Sequence, residues 1–159
     1  MKKKLLSILL TAAMATTVVS GTALIVNADS ESDLSGKTFA IVIRNSGNPY
    51  AEKEADGFKQ VIEAAGGECI IKSPEKATAD AQIPLIQSLI SQEVDAIAIA
   101  SNDVNALTAC LQDAMDEGIK VLSLDSNVVP EARQTFVNQA GVTEIGQALA
   151  DAVYDISGG

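Results

Sequence analysis

Residues 95–126 read DAIAIASNDVNALTACLQDAMDEGIKVLSLDS. They hold two short apolar runs, Asp95 to Ala100 and Ile119 to Leu124, with a different pattern between them. Each run is long enough for a buried strand and too short for a helix. Between them Val104, Leu107, Leu111 and Ala114 recur at helical spacing, which predicts a helix over Val104 to Glu117 with those four on its inner face. Asn102-Asp103 can cap its start, and Gly118 ends it. A strand, a helix and a second strand in this order make a βαβ unit, so the crossover is right-handed and the strands run parallel.

The same alternation extends in both directions. Upstream, Thr38 to Ile43 (TFAIVI) is a continuous apolar run, and Tyr50 to Ala65 carries Ala51, Ala55, Phe58, Ile62 and Ala65 at helical spacing. Pro49 suits the first turn of that helix, and Gly66-Gly67 stops it. Glu68 to Lys72 is a further strand, ended by Ser73-Pro74. Ala79 to Ser91 is a helix with Ile83, Ile86 and Ile90 on one face. Pro84 is comfortable only in a first turn, so this helix is expected to start late or to bend. Downstream, Thr135 to Val137 starts a fifth strand, and Val142 to Ile156 is amphipathic through Ile145, Leu149, Ala152 and Ile156. The order β-α-β-α-β-α-β-β-α predicts an α/β fold, a parallel sheet flanked by helices in the flavodoxin-like order 2-1-3-4-5.

Ligands of such sheets bind beyond the carboxyl ends of the strands, at the switch in strand order. Five loops qualify: Arg44 to Pro49, Ser73 to Thr78, Ser101 to Asn105, Asp125 to Pro130, and Asn138 to Gly141. The first offers the guanidinium of Arg44, the amides of Asn45 and Asn48, and the ring of Tyr50. Planar donors and acceptors beside a flat apolar face suit a hydroxyl-rich ring. It lacks the glycine spacing of a dinucleotide loop and the lysine of a Walker loop, and it reads equally as a solvated loop before a proline-started helix. Asp125-Ser126 follow the fourth strand directly, where a carboxylate either caps local backbone or accepts ligand hydroxyls. Asn102 and Asp103 carry the same two readings, with capping favoured, and Asn138-Gln139 add two amides after the fifth strand.

Composition narrows the function. The 159 residues include no His and no Trp, so the commonest general base and metal ligand are absent. No metal-ligand spacing occurs, and no cofactor is expected. A phosphorelay receiver needs an acidic pair after its first strand and an acceptor aspartate ending its third, where this chain has Arg44-Asn45 and Ala100-Ser101. Cys69 and Cys110 fall in apolar patterns and read as buried free thiols ahead of a disulfide, although export would permit one.

The first 28 residues form a different segment. Lys2, Lys3 and Lys4 precede the apolar run Leu5 to Leu10, and Val26-Asn27-Ala28 has small residues where a signal peptidase cuts. The competing reading is an uncleaved anchor, against which Thr16, Thr17, Ser20, Gly21 and Thr22 dilute the run. No lipobox cysteine is present near the cut, so the chain is expected to be exported to the periplasm or cell surface. Cleavage removes three lysines and no acid, which leaves eight bases against 21 acids. That charge repels phosphate backbones, so nucleic acid is not an expected partner.

From Lys37 to Gly159 the chain resembles the type I periplasmic binding proteins of ABC sugar importers, in their rhamnose-binding and autoinducer-2-binding branch. The resemblance rests on IVIRNSGNPYAEKEADGF, DAIAIASNDVNAL and GIKVLSLDSNVVPEARQTFVNQAG. It implies a two-lobed fold that captures a sugar and delivers it to a membrane permease, without catalysis, as a monomer when full-length. By position it makes Arg44 or Asn45 the polar contact after the first strand, Asn48 a polar contact, Tyr50 a stacking ring and Asp125 the carboxylate that grips ligand hydroxyls. The implied division is a signal peptide at 1–28, a flexible tail at 29–36, the first lobe at 37–138, and a crossover with the first helix of an incomplete second lobe at 139–159. Half of the ligand contacts are then missing, so negligible sugar affinity and a last helix with few partners are expected. A second reading keeps the same site but has the protein present autoinducer-2 or a sugar to a chemoreceptor or sensor kinase. A third, an enzyme on a flavodoxin-like sheet, predicts a coloured or phosphate-bearing protein.

Overall fold

The computed structural model describes residues 33–158, so the expected signal peptide and residues 29–32 lie outside the described residues. The elements are β1 (Thr38–Val42), α1 (Pro49–Ala64), β2 (Glu68–Lys72), α2 (Ala79–Ser91), β3 (Ala96–Ile99), α3 (Thr108–Asp116), β4 (Lys120–Leu124), β5 (Thr135–Val137) and α4 (Val142–Ser157). A 3-10 turn, Pro130–Ala132, precedes β5. All strand pairs are parallel, in the expected order β2-β1-β3-β4-β5.

Alternate residues of the central strands feed two cores. On one face Ala40, Val42, Ile97, Ile99 and Val121 meet Ile86 and Leu89 of α2 and Leu111 and Ala114 of α3. On the other, Ile41, Ile43 and Ala98 meet Ala51 and Ala55 of α1. Ile41, Ile86, Ile97 and Leu111 are fully buried, and each such aliphatic side chain contributes about 1.5–3 kcal/mol. Burial on both faces is why β1 and β3 read as unbroken apolar runs.

The turn between α1 and β2 shows why two glycines stand there. Gly66 has φ +85°, a conformation other residues adopt only at a cost, and a Cβ on Gly67 would lie 2.9 Å from the Ile62 side chain. Residues 33–36, read as tail, are turned onto this corner: the Leu34 N–H donates to the Ala65 carbonyl at 2.8 Å.

Two expectations are corrected. The third helix begins at Thr108, not Val104. The Asp103 carboxylate accepts from the N–H groups of Asn105 and Ala106 (2.8 Å each), and the Val104 carbonyl accepts from the Val129 N–H at 3.1 Å. Residues 104–107 form turns ahead of the helix, with Asp103 capping them, and Val104 is 54% exposed rather than inward. The second correction concerns the late start expected from Pro84: α2 begins at Ala79, where Thr78 Oγ1 accepts from the Ala81 N–H, and continues past the proline. Pro84 lies on the exposed side, where solvent can satisfy the Asp80 carbonyl that it leaves unpaired. The expected face of α2 does meet the core: Ile86 is fully buried with Ile83 and Ile90 half-buried beside it, and Gln82 and Leu89 are buried there as well.

Both cysteines are free. Cys69 pairs in register with Phe39 on the α1 face, whereas Cys110 is on α3 against the opposite face, so the sheet separates them. Burial pushes both thiols above their ordinary pKa. No residue of α4 is buried: Leu149 is 63% and Ile156 87% exposed.

Candidate functional site

Because every strand is parallel, the loops after β1, β3, β4 and β5 leave the sheet at one edge, and the order reverses between β1 and β3. At that reversal sits a side chain the sequence reading passed over. Gln82, fully buried, donates from Nε2 to the carbonyls of Ile43 (3.2 Å) and Ala100 (2.8 Å). Its Oε1 accepts from the Asn102 N–H at 2.9 Å. A glutamine four residues before Ile86 on the apolar face of α2 was the signal available for it.

Asn102 joins the loops after β1 and β3. Its Nδ2 donates to the Arg44 carbonyl (2.7 Å) and its Oδ1 accepts from Arg44 Nε (3.2 Å). Asn45 turns to its own loop, donating to the Ser46 carbonyl at 2.8 Å. Asn48 is the N-cap of α1, accepting from the N–H groups of Tyr50 (3.1 Å) and Ala51 (3.4 Å). The loop after β2 braces this one, since the Pro74 carbonyl accepts from the Ser46 N–H at 2.9 Å. Asp103 caps its turn, and those two N–H groups hold its carboxyl below the usual range.

A second group gathers around the start of α1. Tyr50 is 56% exposed, and its hydroxyl donates to Glu54 Oε1 at 3.4 Å. Gln139, from the segment after β5, donates to the same oxygen. Partial burial, and then the charge of Asp125, push the Glu54 carboxyl up. Desolvation, followed by the charges of Glu54 and Asp125, raises Tyr50 as well. Three separate parts of the chain therefore converge: α1, the end of β4 and the segment after β5. Glu54 was missed in the sequence, although it lies one turn beyond Tyr50 on the same helix face.

Asp125 has φ +54°, a left-handed conformation that aspartate tolerates better than most residues. Its Oδ2 accepts from Ser126 Oγ at 3.1 Å. The loop behind it is fixed by Asn127, whose Oδ1 accepts from Ser123 Oγ (2.7 Å), the Val128 N–H (2.9 Å) and Arg133 Nε (2.8 Å). Asn138 is exposed beside Gln139. Arg44, Tyr50, Asp125 and Gln139 thus reach solvent, while Asn48 and Asp103 have backbone to hold.

A broad cavity of about 1270 Å³ opens elsewhere, lined by Phe39, Phe58, Ile62, Ala98 and Leu122 with Lys37, Asp95 and Lys120. It lies toward the amino ends of the strands, on the sheet face beside α1. The loop edge carries the convergent polar groups, so the candidate site is there. Among the described residues no group of three or more His, Cys, Asp or Glu side chains could hold a metal ion.

Residues 39–159 match the model of a family described as the periplasmic binding protein domain. The chain belongs to that family. It is 56% identical to a crystal structure of an ABC transporter solute binding protein from Clostridium phytofermentas with bound L-rhamnose, with a TM-score of 0.74 over 77% of this chain and 38% of that one. It is 28% identical to LsrB from Clostridium saccharobutylicum in complex with AI-2, with a TM-score of 0.69 over 74% of this chain and 36% of that one. A D-ribose/D-allose-binding protein of Pseudomonas aeruginosa is 28% identical over 121 residues, 70% of this chain and 35% of the relative. The chain spans little more than a third of the length of these relatives. The five-stranded sheet is the first lobe of their two-lobed fold. No helix among the described residues is long and apolar enough to cross a membrane.

Proposed function

We propose that this periplasmic-binding-protein lobe forms one wall of a sugar site in an exported solute-binding protein that serves an ABC permease. The observation that carries the proposal is the convergence of Tyr50, Glu54, Asp125 and Gln139, from three parts of the chain, on the loop edge of this family's fold. Carboxylates accept sugar hydroxyls, the Tyr50 ring offers a flat apolar face, and Arg44 donates to ring or hydroxyl oxygens. The rhamnose and AI-2 held by its relatives favour a small polyhydroxylated ligand. Such a site binds and releases without chemistry. On this reading residues 37–138 are the lobe, 139–159 lead into a second one, and 1–28 direct export.

A single wall leaves most of a ligand in water, whereas tight small-molecule sites bury about 70–90% of it. Affinity of the chain itself is therefore expected to be millimolar or weaker, about −4 kcal/mol. The test is a ¹H–¹⁵N titration with L-rhamnose, D-ribose and AI-2. Amides of Arg44, Tyr50, Asp125 and Gln139 should shift together with one of these ligands. Asp125→Asn keeps an oxygen and tolerates the left-handed backbone, but removes the charge, and should weaken those shifts about tenfold. Saturating ligand that leaves the loop edge unmoved overturns the reading.

A further inference from the structure

We propose that Gln82 is a positioning residue for the site, fixing the Arg44 guanidinium through Asn102. The inference rests on the sugar-site reading only for what Arg44 contacts; the positioning itself is a property of the free lobe.

The argument starts from what a buried amide requires. Gln82 stands on the apolar face of α2 with Ile86 and Leu89, all three fully buried. Leu or Met fills such a position without an amide to desolvate, and a buried amide is tolerated only when its hydrogen bonds are made. Gln82 makes three, and each falls at the point where the sheet order reverses. The β1–β3 ladder has its last paired residues at Val42 and Ile99. One residue further on, the carbonyls of Ile43 and Ala100 are both taken by the same NH₂ group. The two strand ends are thereby clamped at fixed separation where their loops begin.

The third bond carries the order outward. With its N–H held by Gln82, Asn102 is set to use both ends of its own amide on Arg44, one on the main-chain carbonyl and one on Nε. An exposed arginine ordinarily samples many rotamers, and a ligand that orders it must offset that lost freedom. Here Nε is already engaged, which leaves the four N–H groups of the two terminal nitrogens to face outward. The charge also stays uncommitted. Among the described residues the ion pairs are Lys37–Asp95 and Lys59–Glu63, so Arg44 is held by a neutral amide rather than a carboxylate. An oriented, unpaired guanidinium is what a ligand oxygen needs.

The test reads Arg44 directly. In ¹⁵N-labelled protein the Arg44 Nε–H resonance should be protected from exchange and shifted from that of free arginine. Gln82→Met keeps the side-chain length and removes the bonds; it should raise Nε–H exchange about tenfold or more, the scale of one hydrogen bond to a charged group. Leu89→Ala, which destabilises the same helix from the same face, should leave that resonance in place. Asn102→Ala removes the middle link at a half-exposed position and should release Arg44 equally. It also keeps the proposal testable if Gln82→Met does not fold. An Arg44 resonance that is unprotected in the parent, unmoved in folded Gln82→Met, unmoved in Asn102→Ala, or moved as far by Leu89→Ala overturns the proposal. None of these readouts uses sugar. A parent lobe whose Arg44 is ordered but which answers to no sugar would refute the function while leaving this inference intact.

Discussion

Asn48 separates a structural role from a binding role at one residue. By resemblance it is a polar ligand contact; in the structure its Oδ1 serves the first turn of α1, through the N–H groups of Tyr50 and Ala51. Helix starts leave N–H groups without partners, and replacing an asparagine cap with alanine costs about 1 kcal/mol, within a range of about 0.5–2. The 3.4 Å bond to Ala51 is the weaker of the two, so the lower half of that range is expected. The loss reaches the core because α1 covers Ile41 and Ile43 with Ala51 and Ala55. Asn48→Asp keeps the acceptor. Its charge favours the helix start by about 0.3–1 kcal/mol, partly offset by repulsion from Glu52 in the same turn, so its stability should match or slightly exceed the parent's. Urea unfolding followed by far-UV circular dichroism measures both variants. With a slope of about 1–3 kcal/mol/M, Asn48→Ala should lower the midpoint by about 0.2–1 M at unchanged slope. An Asn48→Asp midpoint as low as that of Asn48→Ala would refute the capping argument. If Nδ2 also touches sugar, both variants lose ligand-induced shifts while only the alanine loses stability.

Two further predictions concern the core and the acidic group. Leu111→Ala, at a fully buried site between α3 and the sheet, should cost about 2–5 kcal/mol, whereas Leu149→Ala on exposed α4 should stay within about 0.5 kcal/mol by the same urea assay. Glu54 has its pKa raised by burial and by Asp125, so folding favours its protonated form. Its contribution is fully present below the ordinary glutamate range and is lost as pH rises through the raised value. Glu54→Gln, uncharged throughout, should therefore be more stable than the parent near pH 7 and lose that advantage as the solution is acidified. An advantage that grows on acidification would contradict the assigned cause.

The strands were legible because burial on both faces leaves them no polar alternation. β1 and β3 are unbroken apolar runs bounded by polar loops, and each ends within a residue of where the pattern placed it. Helix starts were less legible, because apolar spacing runs on through the capping turn that precedes a helix. Val104 fits the periodicity of α3, and Asp103 makes cap bonds to the Asn105 and Ala106 N–H groups, yet residues 104–107 form turns and the α-helix itself begins at Thr108. The site was legible as an edge but not as a network. Asp125 stands out as an acid just past a strand, and Tyr50 as an aromatic ring at the opening of α1. Gln82 and Glu54 lie inside helices, where a polar residue reads as surface until the topology shows what it meets. Only the strand order brings Gln82 beneath the ends of both β1 and β3.

The loop edge also has a polarity that bears on its ligand. Arg44 leaves the end of β1, and Asp125 the end of β4, with β3 between them. Two strand spacings of about 4.8 Å set those chain positions about 10 Å apart. At one end a guanidinium is held by neutral Asn102; at the other Asp125 and Glu54 are close enough to raise the Glu54 pKa. An anionic ligand that reached both ends would gain at Arg44 and be repelled by two carboxylates. A cation would meet the reverse. A neutral polyol suffers neither penalty, since each hydroxyl both donates and accepts, and it can turn donors toward Asp125 and acceptors toward Arg44. Repulsion between Glu54 and Asp125 is relieved when hydroxyl donors arrive at either one. On the proposed reading, binding should therefore shift the Glu54 titration, with hydroxyl donors pulling its pKa down and burial under the ligand, which adds to the larger existing cause, pushing it up. A ligand-dependent shift of the Glu54 side-chain carbon titration would show this, and a titration unmoved by saturating sugar would place the ligand elsewhere.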